Sequence, residues 1–177
     1  MAIRINPKTC DFSDTDKIFI DTNIWLYLFY PGNGGDFGYS DIYENLIDSG
    51  AKLFISEQVL SEYVNRILQA DFEKYKEAQR QLGNVTEISY KKDYRPTLHF
   101  KQSYLLAMRS INEDLLSVAN VISIDHKDLE SWCSEYEMLD FNDNVYMKLS
   151  EKQGFGILTH DKDFCSIKAP IKIYRLS

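Results

Sequence analysis

Apolar positions along this chain fall into two patterns, short runs of about four residues bounded by polar punctuation and longer stretches in which they repeat every three to four residues. Residues 17–21, Lys-Ile-Phe-Ile-Asp, read as a short strand that runs into Asp21-Thr22-Asn23, a helix start, and the apolar stretch 24–30. The turn-forming residues 31–35 stop that helix, 39–48 reads as a second, and Gly50 closes it. A strand over 52–55 leads to Ser56, an N-cap for a long helix carrying Val59, Leu60, Tyr63, Val64, Ile67 and Leu68 on one stripe. That helix runs to about Leu82, Gly83 and Asn84 break it, and 96–118 is helical again, which makes a helical hairpin with an irregular connection. Strands are then expected at 121–124, 155–159 and 171–174, with helices at 127–138 and 143–153, the second stopped by Gly154.

Strands alternating with helices imply an α/β fold around a parallel sheet. The 177 residues suit one domain over 1–177, with residues 1–15 as an N-terminal tail and about 70–115 as the helical hairpin within it. Hydrophobic residues make up 44%, and ten Phe with twelve Tyr exclude a disordered chain. No run approaches the ~20 apolar residues that cross a bilayer, and the N-terminus has no apolar core of a leader, so a cytoplasmic protein without membrane contact is expected. Cys10, Cys133 and Cys165 lack metal-ligand spacing and are expected as buried or half-buried free thiols.

A net charge of −7 argues against a general nucleic-acid binder, but its distribution is uneven. Residues 71–110 hold eight Lys/Arg and five acids, a local +3 that leaves −10 elsewhere. Phe72, Tyr75, Tyr90, Tyr94, Phe100 and Tyr104 interleave with these cations. The hairpin is thus a candidate RNA track through Lys91, Lys92 and Arg95, or a solvated face with aromatics packed between helices, or a dimer or partner contact.

In a parallel sheet, ligands bind at the carboxyl ends of the strands. Asp21 ends the first strand, Asp161 follows the strand at 155–159, and Asp143 opens the helix before it. Glu62 lies in the second turn of the long helix, roughly 150° from the centre of its apolar stripe at 100° per residue, where a solvated residue is expected. Each acid has an ordinary alternative: Asp21 as a helix cap, Asp143 as a first-turn acid, Asp161 and Asp163 as turn residues. If the acids do converge, pairs about 4 Å apart repel by roughly 4 kcal/mol at an effective dielectric of ~20. Against a domain stability of ~5–15 kcal/mol, such repulsion calls for a cation or raised carboxylate pKa values.

At these residues the chain resembles the PIN-domain ribonucleases, and among them the VapC-type toxins of toxin–antitoxin pairs. Residues 18–24, with Asp21, Thr22 and Asn23, look like the family's first strand and its acid. Ser56 followed by Glu62 is similar to its second block, Asp143 has the spacing of its third acid, and residues 157–164, Leu-Thr-His-Asp-Lys-Asp-Phe after Ile157, resemble its closing block with Asp161. The helix after the third acid departs from the family in carrying Met147 and Ser150, and the 70–115 region is distinctive.

The resemblance implies a PIN-like three-layer α/β/α fold with a central, mostly parallel sheet of four to five strands. It implies a metal-dependent endoribonuclease that hydrolyses single-stranded or looped RNA, leaving 5′-phosphate and 3′-hydroxyl ends. Asp21, Glu62, Asp143 and Asp161 would be the catalytic carboxylates and the ligands of one or two Mg²⁺ or Mn²⁺ ions, with Asp140 and Asp163 as further candidates. Thr22, Asn23 and Thr159 would orient them, and His160, Lys91, Lys92 and Arg95 are candidate substrate contacts. An antitoxin protein and a homodimer are the expected partners besides RNA. The alternatives are a PIN-like RNA- or protein-binding module without activity, and an RNA-processing nuclease outside any toxin pair. A phosphotransfer domain built on Asp21 is disfavoured because no second Asp stands two residues beyond it.

Overall fold

The computed structural model describes residues 2–30, 32, 34–83, 87–133, 140–166 and 169–176, with the side chains of 165 and 166 left out. A six-stranded sheet forms the centre. Its strands are β1 (Ile3–Ile5), β2 (Lys17–Ile20), β3 (Lys52–Ser56), β4 (Ala119–Ile122), β5 (Gly156–Leu158) and β6 (Lys172–Tyr174). They lie in the order β1-β6-β5-β2-β3-β4, and each neighbouring pair is parallel. The central strands β2 and β5 bury every apolar side chain, which is why they read as continuous runs and not as alternations. The sixth strand comes from the expected tail: Ile3, Arg4 and Ile5 pair with Lys172, Ile173 and Tyr174 at the sheet edge. Three residues, two of them exposed, are too few to show a period.

The helices are α1 (Thr22–Phe29), α2 (Ser40–Asp48), α3 (Glu57–Gln81), α4 (Leu98–Ser110), α5 (His126–Trp132) and α6 (Phe141–Gln153). Ser56 caps α3 by accepting from the Val59 amide at 3.3 Å. Gly154 ends α6 at φ 71°, a backbone conformation that glycine adopts without a Cβ penalty. The helix expected to 138 is described as far as Trp132, and residues 134–139 lie outside the described set. Cys133, just beyond α5, is exposed rather than buried; Cys10 is half-buried. Among the described residues no helix is long and apolar enough to cross a membrane.

α3 and α4 form the expected hairpin, packed antiparallel. Tyr63 meets Ser110 (2.8 Å) at one end, and Asp71 accepts hydrogen bonds from Tyr94 (2.5 Å) and Ser103 (2.6 Å) and pairs with His99 (2.9 Å) at the other. Tyr94 sits on a π-helical turn, Tyr90–Tyr94, and is fully buried against Phe72, Tyr75, Tyr90 and Phe100 at centroid distances of 5.2 to 5.4 Å. Phe72, Tyr75, Tyr90, Tyr94 and Phe100 therefore form a small cluster between helices, while Tyr104 is exposed and stacks on Phe100 at 6.1 Å.

Candidate active site

The strand order sets the site. From β2 the chain moves outward to β3 and β4, and from β5 it moves the other way to β6, so the β2/β5 junction is the topological switch point where a crevice opens. Ile20 lies beside Leu158 in that junction, which brings Asp21 and Thr159 out of the sheet side by side. The Asp21 amide still donates to the Leu158 carbonyl (3.0 Å), and Thr159 N–H donates to the Tyr174 carbonyl (3.1 Å). Both residues thus leave on fixed backbone.

Asp21 is the N-cap of α1 and is 6% exposed. Its Oδ1 accepts from the Thr22 amide (2.6 Å), while Oδ2 accepts from the Thr159 hydroxyl (2.7 Å) and the Asn23 side-chain amide. Thr159 Oγ1 in turn accepts from the Asp161 amide (2.9 Å), and Asn23 Oδ1 accepts from the His160 amide (3.0 Å). One hydrogen-bonded unit therefore joins the first acid to the loop that carries the last. Burial drives the Asp21 carboxyl up to about 6, against the lowering effect of its Thr159 and Thr22 hydrogen bonds and with help from the charges of Glu62 and Asp161.

Glu62 reaches this unit through the Thr22 hydroxyl, which donates to its Oε2 at 3.2 Å. The face of α3 opposite its apolar stripe borders the crevice near its N-terminus, so the Glu62 side chain is 29% exposed and not fully solvated. Its Oε1 faces Arg66 at 3.3 Å, one helical turn on.

α6 runs back against the strand direction, which puts its N-terminus at the same sheet edge. Asp140 caps it by accepting from the Asp143 amide (3.0 Å), and Asp143 occupies its first turn, half-buried. Burial raises the Asp143 carboxyl to about 8, and the charges of Asp140, Asp21 and Asp161 add to the effect. Beneath them, Tyr146 is held above its ordinary range by burial and by Asp21 and Glu62.

These groups face a cleft of about 520 Å³ that, among the described residues, is lined by six carboxylates, Asp21, Glu62, Glu73, Asp140, Asp143 and Asp161, and by one cation, Arg66. The four sequence-derived acids therefore share one cleft, together with Thr22, Asn23 and Asp140. Thr159 stands behind Asp21. Asp163 is exposed, outside the cleft wall, with its amide donating to Asp161 Oδ1 (2.8 Å). Lys91, Lys92 and Arg95 are exposed on and beside the π-helical turn, also outside the cleft wall. Arg66, Glu73 and Tyr27 are among the lining residues that the sequence did not point to. Arg66 had a signal in its i, i+4 spacing from Glu62; the other two had none.

The donor set suits a hard cation, since the described lining residues offer carboxylate, amide and hydroxyl oxygens and no imidazole or thiolate. Among the described residues no three Asp, Glu, His or Cys groups stand close enough to form a ready-made ion cage. The residues still fit an ion such as Mg²⁺, which keeps several waters and needs only one or two carboxylates from the protein.

A parallel α/β sheet with an acid-lined crevice at its switch point narrows the protein to a class of carboxylate-site folds. The PIN domain model matches residues 18–170, and the chain belongs to that family. No curated protein matches it. Among solved structures it is similar to a chain in the crystal structure of VapBC2 from Rickettsia felis bound to a DNA fragment from their promoter. The TM-score is 0.55 with 15% sequence identity, over 91% of this chain and 99% of that one, a likeness of fold.

Proposed function

We propose that this protein is a divalent-metal-dependent endoribonuclease acting on single-stranded or looped RNA, and that it is the toxin of a toxin–antitoxin pair. One observation carries the nuclease reading: among the described residues six carboxylates and one guanidinium line a cleft at the switch point, with Asp21 buried and Asp143 forced up to about 8. So much uncompensated negative potential is costly unless a cation neutralises it. The toxin assignment draws on the fold shared with a VapBC2 chain, and an antitoxin protein is the partner it implies.

In this reading Asp21, Asp143 and Asp161 hold one or two Mg²⁺ or Mn²⁺ ions, with Asp140 at hand on the cleft wall. An ion held there would supply Lewis acidity toward a phosphate and would lower the pKa of a water. Thr159, Thr22 and Asn23 keep the Asp21 carboxylate in one orientation, so its oxygens need no rearrangement when substrate arrives. Glu62 extends the acidic wall and aligns Arg66, whose guanidinium is positioned to contact a phosphate along the cleft.

The test is RNA cleavage by purified protein in Mn²⁺, with chelator as control. Cleavage that disappears in Asp21→Asn and Asp143→Asn variants of native fold supports the proposal; metal-independent cleavage, or none, refutes it. Because no three-ligand cage stands ready-made among the described residues, a second reading is a PIN-like module that binds RNA without cutting it. Intact RNA after incubation with Mn²⁺, bound equally well by both Asp variants, selects that reading.

A further inference from the structure

Beside the acidic cleft the loop 36–39 makes a tight turn in which the Tyr39 amide donates to the Asp36 carbonyl (2.9 Å). Both central residues have positive φ, 52° at Phe37 and 82° at Gly38. Glycine suits that conformation, as Asn or Asp would, but a phenylalanine does not, and Phe37 is the one non-glycine residue with positive φ among those described. Asp36 holds the turn closed by accepting from the amides of Gly38 (3.1 Å) and Ser40 (3.2 Å). The strained residue gains little burial in return, because Phe37 is 55% exposed.

What the strain achieves is placement. The Phe37 ring lies 4.5 Å, centroid to centroid, from Tyr27 and 5.8 Å from His160. Tyr27 is itself a wall of the acidic cleft, and His160 is the residue between Thr159 and Asp161. His160 is fixed on every side: its amide to Asn23, its Nδ1 to the Tyr39 hydroxyl (3.1 Å), and its carbonyl to Arg175 Nε (2.9 Å). An exposed aromatic face is therefore mounted on a rigid base that is continuous with the cleft.

We propose that Phe37, supported by Tyr27 and His160, is a stacking platform for a nucleobase of the RNA whose backbone enters the acidic cleft. This rests on the nuclease reading above and adds a subsite to it. Strain held at an exposed position points to a role outside folding. A flat apolar ring next to a phosphate-handling cleft matches the way proteins hold single strands, with stacking that tolerates any base. The net negative charge also makes such a contact useful, since among the described residues the cleft wall offers phosphate just one cation.

The experiment measures binding apart from cleavage, in full-length Asp143→Asn protein with Mn²⁺, using a fluorescent single-stranded RNA and the same RNA with single abasic sugars placed along it. Phe37→Ala raises Kd about 5- to 150-fold, as loss of one stacked base does, and Phe37→Trp keeps it. One abasic position weakens binding by a similar factor, and there Phe37→Ala adds no further loss. Phe37→Asn serves as the folding control: Asn accepts the turn geometry, so this variant melts higher while binding RNA less well. A Kd unchanged in Phe37→Ala overturns the platform while leaving the nuclease reading intact. Phe37-dependent binding by a wild-type protein that never cuts RNA has the reverse meaning: the platform stands and the nuclease reading falls. Absence of RNA binding by the Asp143→Asn protein and by wild type, with no cleavage by the latter, overturns both.

Discussion

Replacing Asp143 by Asn is expected to abolish cleavage and, in metal-free buffer at high pH, to stabilise the fold. The carboxyl is raised from an ordinary value near 4 to about 8 by burial and by Asp140, Asp21 and Asp161. A carboxyl with a raised folded-state pKa contributes stability below its unfolded pKa, and that contribution is lost as pH rises through the folded value. Metal-free wild type therefore weakens between about pH 4 and pH 8. The full shift would correspond to roughly 5 kcal/mol at 1.36 kcal/mol per tenfold. Because Asp143 is only half-buried, solvent screening reduces this to about 1–2 kcal/mol. The Asn variant removes that charge while its backbone amide keeps the capping bond to Asp140. For a chain of this length about 1–2 kcal/mol is a Tm gain of roughly 2–8 °C. Calorimetry in chelator at pH 5 and pH 8.5 measures it: the variant melts above wild type at pH 8.5, and the gap closes at pH 5. Mn²⁺ at pH 8.5 then raises the wild-type Tm by more than that of the variant, since ligand binding stabilises the form that binds it. A variant that melts at or below wild type at pH 8.5, or a gap that ignores pH, refutes the electrostatic account of the cleft.

Thr159→Val removes the hydroxyl that lowers the Asp21 pKa and accepts from Asp161. The pH at which cleavage rises is expected to move upward, and a pH–rate profile reads the shift. Arg66→Gln is expected to raise KM for RNA several-fold with kcat nearly kept. Its exposed pair with Glu62 contributes about 0–1 kcal/mol, so the melting temperature hardly moves. Tyr94→Phe breaks the hydrogen bond to Asp71 and is expected to lose about 1–3 kcal/mol in urea titration, with cleavage unchanged because the hairpin core stands apart from the cleft.

Much of this architecture was readable because strand and helix leave different marks. Residues 17–21 and 155–159 are apolar without alternation because both faces of β2 and β5 are covered, and the caps at Asp21, Ser56 and Gly154 lie at the expected junctions. β4 lies two residues earlier than its apolar pattern suggests. It is an edge strand, where Val121 is exposed and pairing with β3, including an Asn120 side chain donating to the Leu53 carbonyl (3.3 Å), sets the register instead of burial. β1 was invisible for the same reason. The hairpin aromatics were legible as apolar but not as a cluster, since the contacts of Phe72 and Tyr75 with Tyr94 cross a connection without periodicity.

The acids divide along a similar line. Asp21, Asp143 and Asp161 stand at the ends of elements, so the order of strands and helices is enough to bring them to one edge. Glu62 stands inside a helix, on the side that amphipathicity assigns to water, and periodicity cannot distinguish bulk solvent from a polar cleft. The Thr22 hydroxyl makes that distinction in space, forty residues away in sequence. Phe37 is the sharper case. A phenylalanine in a Gly-rich loop carries no pattern at all, and its meaning lies in a backbone angle that appears only after folding. Glu62, Arg66 and Phe37, to which hydrophobic periodicity assigns no role, all lie around the cleft rather than in the core. Burial writes its requirements as period and composition, whereas a binding surface requires only that a few side chains meet, and leaves their neighbours free.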